Sequence, residues 1–213
     1  MRLVAVTQRC VDVPGRETRD CLDQAWPRFL AECGFLAAPA PNAPELLDAW
    51  LARMTPEAVL LTGGNAAPGT GQDHACPRRD AVERALITWA GPRGVPVLGV
   101  CRGGQMLNVF HGGRLRPLSG HVAAQHALTP LPGAPARLSA GLPADANSFH
   151  DFGLLPEDLG AGLSALALAP DGSVELFAHA SLRQAGMLWH PERFAPFRPE
   201  DMALVRDFLE VPA

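Results

Sequence analysis

Cys101 stands in Val97-Leu-Gly-Val-Cys-Arg-Gly-Gly-Gln105, where an apolar run ends and a polar, helix-compatible stretch begins. Gly99 and Gly103 bracket it as Gly-x-Cys-x-Gly, the thiol form of a nucleophile elbow, in which strand, tight turn and helix hold the side chain clear of the backbone. The first N–H groups of such a helix have no intrahelical partner and carry the positive end of its dipole. They favour a thiolate and an oxyanion formed beside it. His190 follows the apolar Gly186-Met-Leu-Trp189 and opens His190-Pro-Glu192, so it is expected where a strand leaves a sheet. In extended chain, residues two apart share a face, which lets Glu192 reach the His190 ring while Pro191 blocks helical continuation. Nucleophile, base and orienting carboxylate are thereby available as Cys101, His190 and Glu192.

Acyl transfer also needs donors for a developing oxyanion. The N–H of Arg102 is one candidate, and Gly64 in Leu61-Thr-Gly-Gly-Asn65 is the other, because a missing Cβ leaves its amide open to approach. The Arg102 side chain is open to two readings: a contact to a substrate carboxylate or phosphate, or a solvated or supporting arginine.

Around these residues, buried strands are expected at 3–7, 35–38, 58–62 and 95–100, as continuous apolar runs. Helical periodicity is expected over 17–33, interrupted by Pro27, and over 45–52, 80–90 and 199–209. Alternation of strand and helix implies right-handed crossovers and a parallel sheet. Beyond His111 the pattern turns irregular and antiparallel, with short strands expected at 136–138, 163–168 and 173–177, the last two joined by Pro170-Asp-Gly172. The segment 63–79 reads as a long functional loop.

Together these residues resemble the class I glutamine amidotransferase-like superfamily. Gly99-Val-Cys-Arg-Gly-Gly-Gln105, Trp189-His-Pro-Glu192 and Leu61-Thr-Gly-Gly-Asn65 stand in that family's order and frame nearly the whole chain. Arg102, Asn108-Val-Phe-His-Gly-Gly-Arg-Leu115 and Asn147-Ser-Phe-His150 look more like the stand-alone γ-glutamyl amide hydrolases, such as those of γ-glutamyl-γ-aminobutyrate, and Thr7-Gln-Arg9 with Arg19-Asp-Cys-Leu-Asp-Gln-Ala-Trp26 resembles the γ-glutamyl-CDP-amidate branch. The resemblance implies a flavodoxin-like three-layer α/β sandwich with a mostly parallel central sheet, a cysteine elbow and an antiparallel rim, formed as a single domain over 1–213. It further implies that Gln105, Ser148 and His150 contact the glutamyl group; for Ser148 and His150 a capped Asn-Ser turn is the competing reading.

The 213 residues carry a net charge of −4 and are 47% hydrophobic, enough for a sizeable core and without an electrostatic case for nucleic acid or a membrane surface. Five cysteines without a Cys-x-x-Cys pair argue against a disulfide framework. With no signal-peptide core or spanning stretch, a cytoplasmic setting is expected. No His-x-x-x-His or Cys/His cluster has ligand spacing and no phosphate loop is present, so neither metal nor cofactor is expected. His111, His121, His126 and His179 read as lone histidines. Arg9, Arg16, Arg78 and Arg79 are loop arginines, available to a nucleotide leaving group but usually just solvated.

The expected activity is hydrolysis of a small γ-glutamyl amide through a γ-glutamyl thioester on Cys101, by a monomer or homodimer needing no partner synthase. Two alternatives stand beside it: the glutaminase component of an amidotransferase, and a non-catalytic module in which Cys101 binds or senses oxidants.

Overall fold

The computed structural model describes residues 1–133, 138 and 141–210. In chain order its elements are β1 (Arg2–Val6), β2 (Arg9–Val13), β3 (Glu17–Cys21), α1 (Ala25–Glu32), β4 (Phe35–Pro39), α2 (Leu47–Met54), β5 (Ala58–Leu61), α3 (Pro77–Ala90), β6 (Val97–Val100) and α4 (Arg102–Phe110). There follow β7 (Arg116–Pro117), β8 (Val122–Ala127), β9 (Thr129–Pro130), β10 (Asp145–Phe149), β11 (Phe152–Gly153), β12 (Leu163–Leu168), β13 (Val174–His179), β14 (Gln184–Met187) and α5 (Pro199–Leu209). The strand expected at 136–138 lies almost entirely outside the described residues.

Eight strands form the central sheet in the order β4-β1-β5-β6-β14-β13-β12-β9 among the described residues. The five from β4 to β14 run parallel, and β13, β12 and β9 continue antiparallel as the expected rim. Strand periodicity of two divides the central strands between two cores. Val4, Val6, Leu60, Leu98 and Val100 pack with Trp26, Phe29 and Leu30 of α1 and Leu204, Val205 and Phe208 of α5. Ala5, Val59, Leu61 and Val97 face the other way, onto Leu47 of α2, Leu86 and Ile87 of α3, and Met106 and Leu107 of α4. Both sheet faces are thus covered, which makes the three-layer sandwich that the strands' uninterrupted apolar runs require.

Two expectations are corrected. The helix read over 17–33 is confined to Ala25–Glu32, and Glu17–Cys21 pairs antiparallel with Arg9–Val13 as a hairpin. Glu17, Thr18, Arg19 and Asp20 are exposed, so apolar periodicity never applied to them; Pro27 sits in the first turn, where its missing N–H costs nothing. The second correction concerns the cysteines. Cys10 of β2 and Cys76, just before α3, form a disulfide across a sequence separation of 66, a pairing invisible to short-motif spacing. It ties the hairpin to the start of α3. Among the described residues no helix is long and apolar enough to cross a membrane.

Candidate active site

β6 and β14 are parallel neighbours, with Val100 opposite Met187. One residue past β6 lies Cys101, and three past β14 lies His190, so adjacent strand ends deliver both groups to the same edge of the sheet. The Cys101 N–H donates to the Met187 carbonyl at 2.8 Å, fastening the elbow to β14. Cys101 has φ 51° and ψ −111°, a conformation unfavourable for a residue with a Cβ and typical of strained functional turns. The glycines beside it permit the turn. A Cβ on Gly99 would lie 2.4 Å from the Gly103 carbonyl oxygen, and one on Gly103 would lie 2.1 Å from that of Leu61. Helix α4 can approach β5 and β6 this closely only without side chains at these positions.

His190 Nδ1 lies 2.7 Å from Glu192 Oε1. Glu192 reaches the ring through a 3-10 turn over Pro191–Arg193 and not through the extended chain expected from the sequence. With Nδ1 donating to the carboxylate, Nε2 faces the thiol side. Burial works against the imidazolium, but the Cys101 and Glu192 side chains bonded to the ring outweigh it and push His190 up to about 9. Gly63 is the third wall. A Cβ there would stand 2.7 Å from His190 Cε1 and 3.7 Å from Cys101 Cβ, so thiol and imidazole meet across this glycine. Cys101 is buried, 6% exposed; beside it a narrow opening is lined by His190, Glu192, Gly63 and Gly64, and the exposed Arg9 side chain lies against Gly64 at its rim. A wider cleft of about 1340 Å³ adjoins it and shares Arg9, with Asn65, His74 and Arg78 also in its lining.

A family model described as Peptidase C26 matches residues 5–192. The chain belongs to that family. The chain is 28% identical over 192 residues to a γ-glutamyl-CDP-amidate hydrolase of Campylobacter jejuni, covering 89% of this chain and 90% of the relative. It is likewise 28% identical to anthranilate synthase component 2 of Thermococcus kodakarensis, over 76% of this chain and 79% of that one. A solved structure described as a GMP synthase component from Thermoplasma acidophilum superimposes with a TM-score of 0.71 at 17% identity, covering 98% of this chain and 92% of the other. The flavodoxin-like amidotransferase fold is thereby shared.

In this Peptidase C26 chain the remaining sequence-derived residues are placed unequally. Gln105 lies in the first turn of α4 behind the elbow, but its Nε2 donates to the Phe152 carbonyl at 2.6 Å, tying α4 to β11. Ser148 is fully buried and donates to the His121 carbonyl at 2.7 Å. His150 is buried beside Glu175. The segment that the resemblance placed against the glutamyl group does border the site, with the opposite parity. Asn147 exchanges two hydrogen bonds with the His190 backbone, at 2.7 and 2.9 Å, and Phe149 meets the His190 ring edge-on at 5.7 Å. Alternation along β10 sends Asn147 and Phe149 to the catalytic side and Ser148 away from it.

The Arg102 side chain is buried and ion-paired with Glu83 and Asp80, which settles its two readings in favour of support. Arg79 is not a loop arginine. It is buried in α3, with Nε 2.8 Å from Glu83 Oε1, and it donates to the carbonyls of Thr62 at 2.6 Å, Gly63 at 3.1 Å and Gly64 at 2.5 Å. Thr7 completes the cluster, donating to Glu83 at 2.9 Å and accepting from the Thr62 N–H at 3.0 Å. Burial opposes the Glu83 charge, yet Arg102 and Arg79 hold its carboxyl below the usual range, while burial lowers Arg79 to about 10. Sequence reasoning missed this cluster because it started the helix at residue 80 and left Arg79 in the loop, whereas α3 begins at Pro77 and sets Arg79 one turn before Glu83.

Proposed function

We propose that this protein hydrolyses a small γ-glutamyl amide, with Cys101 as nucleophile, His190 as general base and acid, and Glu192 as the carboxylate that orients it. The observation carrying this reading is the meeting of Cys101, His190 and Gly63 at adjacent strand ends, with Glu192 fixed to Nδ1. His190 takes the thiol proton and the sulfur attacks the side-chain amide carbon. The C–S bond forms as the carbonyl becomes an oxyanion. Collapse breaks the C–N bond, and His190 returns the proton to the leaving nitrogen. Water, activated in turn by His190, resolves the thioester to glutamate and the free enzyme.

The oxyanion donors are the N–H groups of Gly64 and Arg102. In a trans peptide the N–H of one residue points opposite to the preceding carbonyl. Arg79 holds the Gly63 carbonyl on its own side, so the Gly64 N–H is directed away from Arg79. The Arg102 N–H is the first of α4 and has no intrahelical acceptor. Each donor is worth about 3 kcal/mol of transition-state stabilisation.

The stand-alone hydrolase among the relatives, similar over nine-tenths of both chains, makes γ-glutamyl-CDP-amidate our preferred substrate class, ahead of γ-glutamyl-γ-aminobutyrate. Arg9 is suited to a phosphate there: it is exposed, lies against Gly64 and borders both the narrow opening and the wider cleft. The second reading, a glutaminase delivering ammonia to a synthase, is favoured by the similarity to anthranilate synthase component 2. Incubating the purified chain alone with γ-glutamyl-CDP-amidate, γ-glutamyl-γ-aminobutyrate and glutamine separates the readings. Glutamate released from a substituted amide in preference to glutamine supports the hydrolase; turnover of glutamine alone, rising when a synthase is added, supports the glutaminase.

A further inference from the structure

Behind the catalytic histidine, on the inner side of β10, the fold gathers side chains that the sequence scatters. Glu175, the second residue of β13, is fully buried, and His121, His126 and His150 converge on its carboxylate. His121 Nδ1, His126 Nε2 and His150 Nε2 lie 3.5, 3.3 and 3.7 Å from Glu175 Oε1. Among the described residues, neither Glu175 oxygen and neither ring nitrogen of His126 or His150 has a hydrogen-bond partner. A buried carboxylate and buried imidazoles within ion-pair distance but without well-formed hydrogen bonds are only partly compensated, an arrangement native proteins avoid unless something else fills the role.

We propose that His121, His150 and Glu175 bind a divalent transition-metal ion, zinc by donor type, with the fourth position open to water. Ligand atoms of His121, His150 and Glu175 all lie within 4.8 Å of one another. A tetrahedral shell with bonds of about 2.0–2.1 Å has neighbouring ligand atoms about 3.3–3.4 Å apart, close to the separations from Glu175 Oε1. An ion between them would satisfy Glu175 Oε1 and the His150 ring nitrogen that faces the centre, with the two imidazoles drawing in toward it. The surroundings are those of a ligand histidine. His121 Nε2 is 2.9 Å from Asp171 Oδ2, and Asp171 Oδ1 accepts from the Ser173 hydroxyl at 2.7 Å and its N–H at 3.0 Å. A carboxylate holding the far ring nitrogen fixes the tautomer and frees Nδ1 for a metal. Ser148 Oγ, 3.3 Å from that Nδ1, gives its proton to the His121 carbonyl, so it does not compete for the lone pair.

Sequence spacing gave no hint of this site, because its ligands come from three separate segments that pair only in the folded chain. The ion would join the β8–β10 ribbon to β13 of the central sheet. Since Phe149 and Asn147 of the same ribbon touch His190, its role is to position the base from behind. It takes no part in bond breaking.

The test uses the full chain without a histidine tag and with Cys101→Ser, so that the reactive thiol is not the ligand. After chelation, added Zn²⁺ is expected to bind at one equivalent and raise Tm, and Co²⁺ to give the visible bands of a tetrahedral site. His150→Ala and Glu175→Gln should abolish both signals. Asp171→Asn, at a half-exposed position, should keep the fold and weaken Co²⁺ binding about 10- to 100-fold. Absence of stoichiometric binding with Tm unmoved by Zn²⁺ overturns the proposal, as do Co²⁺ bands indifferent to His150→Ala and Asp171→Asn.

Discussion

Arg79 Nη1 donates to the Gly64 carbonyl at 2.5 Å, and the same guanidinium holds the carbonyls of Thr62 and Gly63. A buried guanidinium is therefore what shapes the Thr62–Gly64 loop. Arg79→Lys keeps the charge but loses the planar fork that spans the Thr62, Gly63 and Gly64 carbonyls. It is expected to lower kcat/KM about 100-fold through misplacement of the donors, with kcat affected more than KM. Arg79→Ala removes one of two cations from buried Glu83 and should cost about 3–5 kcal/mol in denaturant unfolding.

Gly63 offers a sharper geometric test. Its backbone accepts alanine, but the added methyl would stand 2.7 Å from His190 Cε1. The ring must yield. Gly63→Ala is expected to leave Tm within a few degrees while reducing steady-state kcat/KM about 100-fold, since displacements near 1 Å carry penalties of that size. Unchanged turnover would show that the ring is not held at this distance during catalysis.

The His190 value gives a pH dependence with a definite sign. Its ordinary value is 6.5 and the folded chain holds it at about 9, so the native state binds the proton more tightly than the unfolded one. Its stabilising contribution is complete below about pH 6.5 and is lost as pH rises through about 9. Tm should therefore decline over that window, and kcat/KM should fall on its alkaline side as the proton needed by the leaving nitrogen is lost. Glu192→Gln withdraws one of the groups holding the proton and should move both profiles to lower pH. Histidine Cε1–H shifts followed by NMR report the same titration directly.

Much of this was legible in the chain because it depends on local signals. Continuous apolar runs located β1, β5 and β6, and Gly-x-Cys-x-Gly located the elbow, since the close helix–strand contact excludes any other residue at 99 and 103. What escaped depends on distant pairing. Arg79 reads as a loop arginine until α3 is seen to start at Pro77 and Thr7 and Arg102 to close over its partner Glu83. For Ser148 and His150 the sequence pointed to a segment and not to a face: the structure turns Ser148 to the His121 carbonyl and sets His150 beside Glu175, while Asn147 and Phe149 meet His190. Cys10 and Cys76 meet only because the β2–β3 hairpin folds back over the loop leading into α3.

The central claim is that Cys101 carries the γ-glutamyl group. Acid-quenching the enzyme during turnover of a γ-glutamyl amide, followed by intact-mass and peptide mass spectrometry, reads this without reference to the leaving amine. The expected result is one γ-glutamyl adduct, mapped to Cys101, cleaved by hydroxylamine and absent in Cys101→Ala, which also releases no glutamate. Undiminished glutamate release by Cys101→Ala, or an adduct mapped to any other residue, would contradict the account.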